Sequence, residues 1–344
     1  MKPSLHNLML QTTLCPICGP VLSSTVFTQG RLYGPRALKA LEGVPTHGAM
    51  NTVLCSQCGL LYRFPSLEPE YYMKGYYENY KSSREVTDDD LLRARNRNQK
   101  FLSHLRKYLD FRAKRIADVG CGRGILLDLI AETQEPSYLL GIEPSSTITE
   151  WIKTRRYKFD VVKDDISSFA VKRQTKSHNW SDQFDIVLML GVIEHITDPF
   201  AALIAIKSML INEGILYLYT NDETPNLLWD PKWQISLAHV LYFTPRTIML
   251  LLAKAGFIIF HLETQGTSMH VFAKSAITDY TPDSSLREDQ VLKLYRKYKF
   301  SASRYSSAFR NLSKAATRLM YLIKKIAKVS LGFILRAKPA NTTH

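Results

Sequence analysis

Two arrangements of residues in this 344-residue chain are spaced for chemistry. The first is IADVGCGRG, residues 116–124, where an apolar run breaks into glycines at 120, 122 and 124. Ile116, Ala117 and Val119 read as the end of a buried strand, the glycines as a tight turn, and ILLDLIAE as the helix that follows. Glycine permits torsions and close approach that a Cβ would block, so a ligand can lie against the turn and over the helix N-terminus. The second is a pair of C-x-x-C-G knuckles, Cys15 with Cys18 and Cys55 with Cys58. Two such knuckles supply four thiolates to one tetrahedral ion, a structural Zn²⁺ site with no open position for catalysis. Two disulfides or unpaired thiols are the alternatives, and a reducing compartment disfavours the former.

The neighbours of the glycine turn decide what it holds. A dinucleotide fingerprint is G-x-G-x-x-G with pyrophosphate on the helix N-terminus. Here the spacing is G-x-G-x-G with Asp118 just before it, a carboxylate that repels pyrophosphate and suits an ammonium. YLLGIEPS reads as a second strand ending in Glu143, an acid able to accept both ribose hydroxyls of a nucleoside. A third strand, FDVVKDD, leads to Asp165 and Ile166, suited to an adenine amino group and ring face. The residues call for a nucleoside carrying an amino acid, without a phosphate chain.

The order IADVGCGRG, GIEPS, KDDISSF, FDIVLMLGVIEHITDPF resembles the class I S-adenosylmethionine-dependent methyltransferases over roughly residues 90–275. That resemblance implies a Rossmann-like α/β fold with a seven-stranded sheet. It places Asp118, Gly120 and Gly122 at the methionine end of the cofactor, Glu143 at the ribose, and Asp165 with Ile166 at the adenine, with Leu190 also lining the site. The knuckles, then CGLLYRFP and YYMKGYYENY, are similar in pattern to bacterial methyltransferases acting on sugars and cell-surface glycans. Sugar C-methyltransferases carry a Glu-His pair where this chain has Ala238 and His239, which argues against a carbon acceptor relying on that glutamate.

Candidate catalytic groups lie at the carboxyl ends of the strands. Asp198 and Pro199 form a helix start, so Glu194 and His195 fall in the loop after the fourth strand, where ligands bind in open α/β sheets. His195 is a candidate general base, as is His239 ahead of the FTP helix start, and Tyr76 could offer a phenol to the acceptor. Each also has a plain structural reading: loop orientation for the histidines, burial of aromatic surface for the tyrosine.

Three segments follow: a zinc-binding unit over 1–67, a methyltransferase core with an aromatic cap over 68–278, and a basic amphipathic helical tail over 279–344. The net charge of +14 is concentrated in the tail, where fourteen Lys and Arg from 286 onward face only Glu288 and Asp289. Apolar residues recur there at three- or four-residue steps, which points to a membrane surface; packing on the core or on a partner, and a nucleic-acid arm, are the competing readings. The front of the chain lacks a sustained apolar segment, so the expected location is cytoplasmic, peripheral at the inner face of the membrane if the tail binds lipid. The expected reaction is methyl transfer to a hydroxyl, ahead of nitrogen or carbon, of a small molecule or sugar or glycan, with a nucleic-acid acceptor disfavoured. A tRNA or rRNA methyltransferase and a non-catalytic cofactor-binding module are the alternatives.

Overall fold

The computed structural model describes residues 10–29, 50–64, 86–174, 183–223 and 239–275, with Gln290, Lys293 and Leu294 beyond them. Tyr76, most of the aromatic cap and nearly all of the basic tail lie outside the described residues. The chain opens with strands β1 (Leu10–Cys15), β2 (Gly19–Gln29), β3 (Met50–Cys55) and β4 (Leu61–Phe64). There follow α1 (Asp88–Leu105), β5 (Arg115–Val119), α2 (Ile125–Thr133), β6 (Tyr138–Glu143), α3 (Ser146–Lys153), β7 (Asp160–Lys163) and α4 (Ile166–Gln174). The last part holds β8 (Phe184–Leu190), α5 (Pro199–Met209), β9 (Leu210–Asn221), β10 (Leu241–Tyr242), α6 (Pro245–Lys254), β11 (Phe257–Gln265) and β12 (Ser268–Ser275).

Seven strands form one sheet in the order β11-β12-β9-β8-β5-β6-β7. The five strands from β9 to β7 pair in parallel, while β12 and β11 join as an antiparallel edge. Parallel strands covered on both faces read as continuous apolar runs, and the central strands β5, β6 and β8 do so. Strand order reverses between β5 and β8, which opens a crevice at their carboxyl ends. One face is covered by α1 and α2, through Leu102, Leu105, Leu126 and Ile130. The other is covered by α4, α5 and α6, through Phe169, Leu203, Ile206 and Leu251.

Helix starts follow from their caps. Asp198 accepts from the Ala201 amide with Pro199 in the first turn, and Thr244 with Thr247 forms a reciprocal capping box. Helix α1 ends at Leu105, and its Leu92 is 58% exposed. Strand β9 begins directly after Met209 and contains Gly214.

The cysteine unit is built into the rest of the chain. β1 to β4 form an antiparallel meander, and β10 extends it as a fifth strand by pairing Leu241 with Tyr62 and Tyr242 with Leu61. Leu294 packs on the same layer, against Val26, Leu54, Leu61 and Tyr242. On the other side Lys254 of α6 donates to the Ile17 carbonyl in the first knuckle.

Candidate active site

The glycine turn leaves β5 with Gly120, Gly122 and Gly124 all at positive φ. The Gly120 amide donates to the Ile142 carbonyl of β6 at 2.7 Å, pinning the turn across the sheet. A Cβ at Gly120 would lie 2.5 Å from Val192 Cγ2, whereas one at Gly122 would project into open space. The turn is closed behind Gly120 and open in front of Gly122. Gly120→Ala therefore combines a left-handed backbone with overpacking, and should cost about 2–4 kcal/mol of stability in urea unfolding of the full chain.

Glu143, at the end of β6, is buried, and its two carboxylate oxygens accept from the Gly122 amide at 3.0 Å and the Ser145 amide at 3.1 Å. The acid thus joins the glycine turn to the start of α3. Asp118 is also buried, and its carboxyl is pushed up to about 8, first by burial and then by the Glu143 charge. A group held this way is prepared to ionise when a cation arrives.

Beside the turn lies a cavity of about 380 Å³, within the range of roughly 300–1,000 Å³ usual for small-molecule sites. Val119, Gly120, Ile142 and Pro144 form one side, Asp164 to Ser167 another, and Val192 with His195 to Asp198 and Ala201 the third. Gly120, Asp165, Ile166 and His195 are therefore brought together on its walls. Asp118, Gly122, Glu143, Leu190 and His239 are not among those lining residues. Asp165 also caps α4, because Oδ1 accepts from the amides of Ser167 and Ser168 and Oδ2 from the Ser168 hydroxyl.

Behind the cavity wall sits a polar cluster. Glu194 and His195 are buried in a short 3₁₀ turn after β8, and Glu194 Oε2 accepts from the Thr220 hydroxyl at 3.0 Å. The His195 and His239 rings meet edge to face at 4.8 Å. His239 Nδ1 is 3.9 Å from Glu223 Oε1, beyond hydrogen-bonding distance. Burial first, and the Arg63 guanidinium second, push His239 down to about 4. Arg63 comes from β4: its amide donates to the Val240 carbonyl and its Nη2 to the Tyr242 hydroxyl at 3.3 Å. The Val240 amide donates in turn to the Glu194 carbonyl. Arg63 has no sequence signal as a site neighbour, because only the pairing of β10 with β4 brings it to His239; Glu223 lies after β9 at the same edge of the sheet, where its amide donates to the Phe243 carbonyl.

The four cysteines converge at the mouths of the β1–β2 and β3–β4 hairpins. Their sulfurs lie within 4.8 Å of one another, with Cys15 to Cys58 at 3.7 Å and Cys18 to Cys55 at 3.9 Å. All are free thiols. Hydrogen bonding among the four splits the thiols, holding Cys18 and Cys55 below the ordinary thiol value and Cys15 and Cys58 above it.

A family model described as a methyltransferase domain matches residues 92–262. The matched stretch takes in the strands β5 to β9 and the glycine turn between β5 and α2. The chain is 31% identical over 168 residues to a tRNA U34 carboxymethyltransferase of Desulfotalea psychrophila, covering 47% of this chain and 51% of that one. It is 26% identical over 124 residues to a ubiquinone biosynthesis O-methyltransferase of Neisseria meningitidis, covering 36% and 51%. The chain spans about half the length of these curated relatives. Among solved structures, the magnesium protoporphyrin IX methyltransferase of Synechocystis with bound S-adenosylhomocysteine aligns at a TM-score of 0.42 and 14% identity, covering 56% of this chain and 90% of that one. The tRNA relatives weigh against the expectation that disfavours a nucleic-acid acceptor.

Proposed function

We propose that this chain transfers a methyl group from S-adenosylmethionine to a hydroxyl of a small molecule, with sugars and glycans as the first class to test. The observation that carries the reading is the shared cavity: His195 faces the same space as Gly120, Asp165 and Ile166. The residues fit the cofactor's parts. Asp118 offers a carboxylate to its ammonium, the open side of Gly122 offers room, Glu143 offers an acceptor to the ribose, and Ile166 offers an apolar face to the adenine. Bound there, S-adenosylmethionine would supply an electrophilic methyl group. The chain's own contribution is to hold the acceptor in line, exclude water, and take the hydroxyl proton.

His195 is the residue assigned to that proton. His239 is held neutral by burial and by Arg63, and its reduced basicity suits it to fix the His195 ring rather than to act as the base. His195→Ala should therefore lower turnover about 10²–10⁴-fold and leave S-adenosylhomocysteine affinity within a few-fold. His239→Asn should have the smaller effect on the rate. Equal turnover in His195→Ala and the parent would remove His195 from the mechanism.

The cysteine geometry supports a structural zinc ion. A tetrahedral site with Zn–S bonds of about 2.3 Å sets sulfurs about 3.8 Å apart, against the observed 3.7 and 3.9 Å. A disulfide needs sulfurs about 2.05 Å apart.

A tRNA acceptor is the second reading, favoured by the tRNA-modifying relatives and by the basic stretch after residue 286. Radiolabelled S-adenosylmethionine offered with sugar nucleotides in one arm and bulk tRNA in another separates the two. Label in the sugar fraction is the expected result, and label in tRNA alone would replace it with the second reading.

A further inference from the structure

On the face of the sheet away from the cysteine unit, a second group of side chains of metal-ligand type is drawn from three elements. His104 stands in the last turn of α1, His261 and Glu263 on β11, and His270 on β12 directly across from Glu263. His104 Nε2 is 2.7 Å from Glu263 Oε1, and His261 Nε2 is 3.6 Å from Glu263 Oε2. The His104 and His270 rings lie 4.5 Å apart, and the donor atoms of His104, Glu263 and His270 fall within 4.8 Å of one another. Apart from Glu263, Nε2 of His104 and Nε2 of His261 are buried without a further polar partner among the described residues.

We propose that His104, Glu263 and His270 form a second divalent transition-metal site of the zinc type, with His261 beside them as the neighbour of Glu263. Imidazole and carboxylate are the donors such an ion takes, at about 2.0–2.2 Å, which sets ligand atoms about 3.4 Å apart. The His104–Glu263 pair at 2.7 Å would open by about 0.7 Å to reach that spacing, and all three donor atoms already lie within 4.8 Å of one another. His270 already has the support that metal-bound histidines receive: its Nδ1 lies 2.8 Å from the Tyr217 hydroxyl, leaving Nε2 toward the cluster. Tyr108 stacks on His261 at 4.3 Å and holds that ring in place. Lys107 opposes a cation here, and Glu263 supplies the compensating charge.

The ion would clamp the end of α1 to the β11–β12 hairpin. It is separate from the cysteine cluster and from the cavity, so its role is structural or regulatory rather than catalytic. The test equilibrates the full chain with zinc, removes weakly held metal by gel filtration, and counts zinc per chain by elemental analysis. His104→Gln and Glu263→Gln are compared with the parent; His270 is left intact because it is packed in the core. The expected result is a loss of about one ion per chain in each variant, whatever the cysteines hold. Added zinc should also raise the melting temperature of the parent more than that of either variant. Equal zinc content in parent and variants would overturn the proposal. Cobalt gives an independent reading: the variants should lose only the weaker d–d absorption of a nitrogen and oxygen site and keep the intense thiolate charge-transfer bands. Loss of the thiolate bands instead, with the d–d bands of a nitrogen and oxygen site absent from the parent, would also overturn it.

Discussion

Cys55→Ser should unfold the five-stranded sheet and remove activity together, although Cys55 is far from the cavity in sequence and holds no part of it. Structural zinc in small units contributes about 10–16 kcal/mol of apparent folding energy. This sheet has other support through β10 and α6, so the loss here should be smaller, on the order of 3–5 kcal/mol, the range for breaking a buried charged network. The functional loss follows from connectivity. β10 is the fifth strand of that sheet, Val240 just before it donates to the Glu194 carbonyl, and Arg63 of β4 sets the environment of His239. Release of the sheet thus releases the backs of His195 and His239. Thermal unfolding and turnover of the variant, with zinc counted in both proteins, checks this. A variant that melts and turns over like the parent would show the four thiols to be bystanders. A reductant should leave the parent unchanged, since sulfurs 3.7 and 3.9 Å apart are not joined as disulfides.

Binding of S-adenosylhomocysteine should strengthen as pH rises toward about 8, with a proton released on binding below that. The cause is Asp118. Its folded pKa of about 8 stands above the ordinary carboxyl value of 3.8 because burial and Glu143 disfavour the charge. A ligand ammonium favours the carboxylate, so each pH unit below 8 costs about tenfold in affinity. At higher pH the ligand's own amine loses its proton, which bends the profile down again. Stability of the unliganded chain runs the opposite way. A raised folded pKa contributes stability that is fully present below about 3.8 and is lost as pH rises through about 8. Asp118→Asn should flatten the acid side of the binding profile, lower affinity about 10- to 100-fold, and remove the fall in stability across that window. A binding profile in the variant with the same slope as the parent would assign the proton to another group.

Much of this site is visible in the sequence because its parts are local. The strand, glycine turn and helix at 116–133 are contiguous, Glu143 ends a strand that the apolar run YLLGI announces, and Asp198 and Thr244 are caps that stand just before their helices. The seven-stranded sheet is what the resemblance to class I S-adenosylmethionine-dependent methyltransferases implies, and the alternation of strands and helices fits its parallel part. What stayed hidden depends on contacts between distant segments. A two-residue strand such as β10 has no period to detect, yet it carries the cysteine sheet to His239. Arg63 reaches that histidine from β4, and no spacing links the two. His104, Glu263 and His270 are far apart or on paired strands and come together only when α1 lies on the hairpin. Asp165 shows the converse: its position at the third strand's end is legible, while its use as the cap of α4 is decided by the two amides it meets.

In the proposed site the turn after β5 and the acid after β6 hold one S-adenosyl ligand. Isothermal titration of the full-length protein with S-adenosylhomocysteine tests it directly, with Glu143→Ala as the comparison. One site per chain in the parent, weakened about 30-fold or more when Glu143 and its two backbone anchors are lost, is the predicted result. A folded parent that takes up no ligand, or a Glu143→Ala variant that binds as tightly as the parent, would contradict the account.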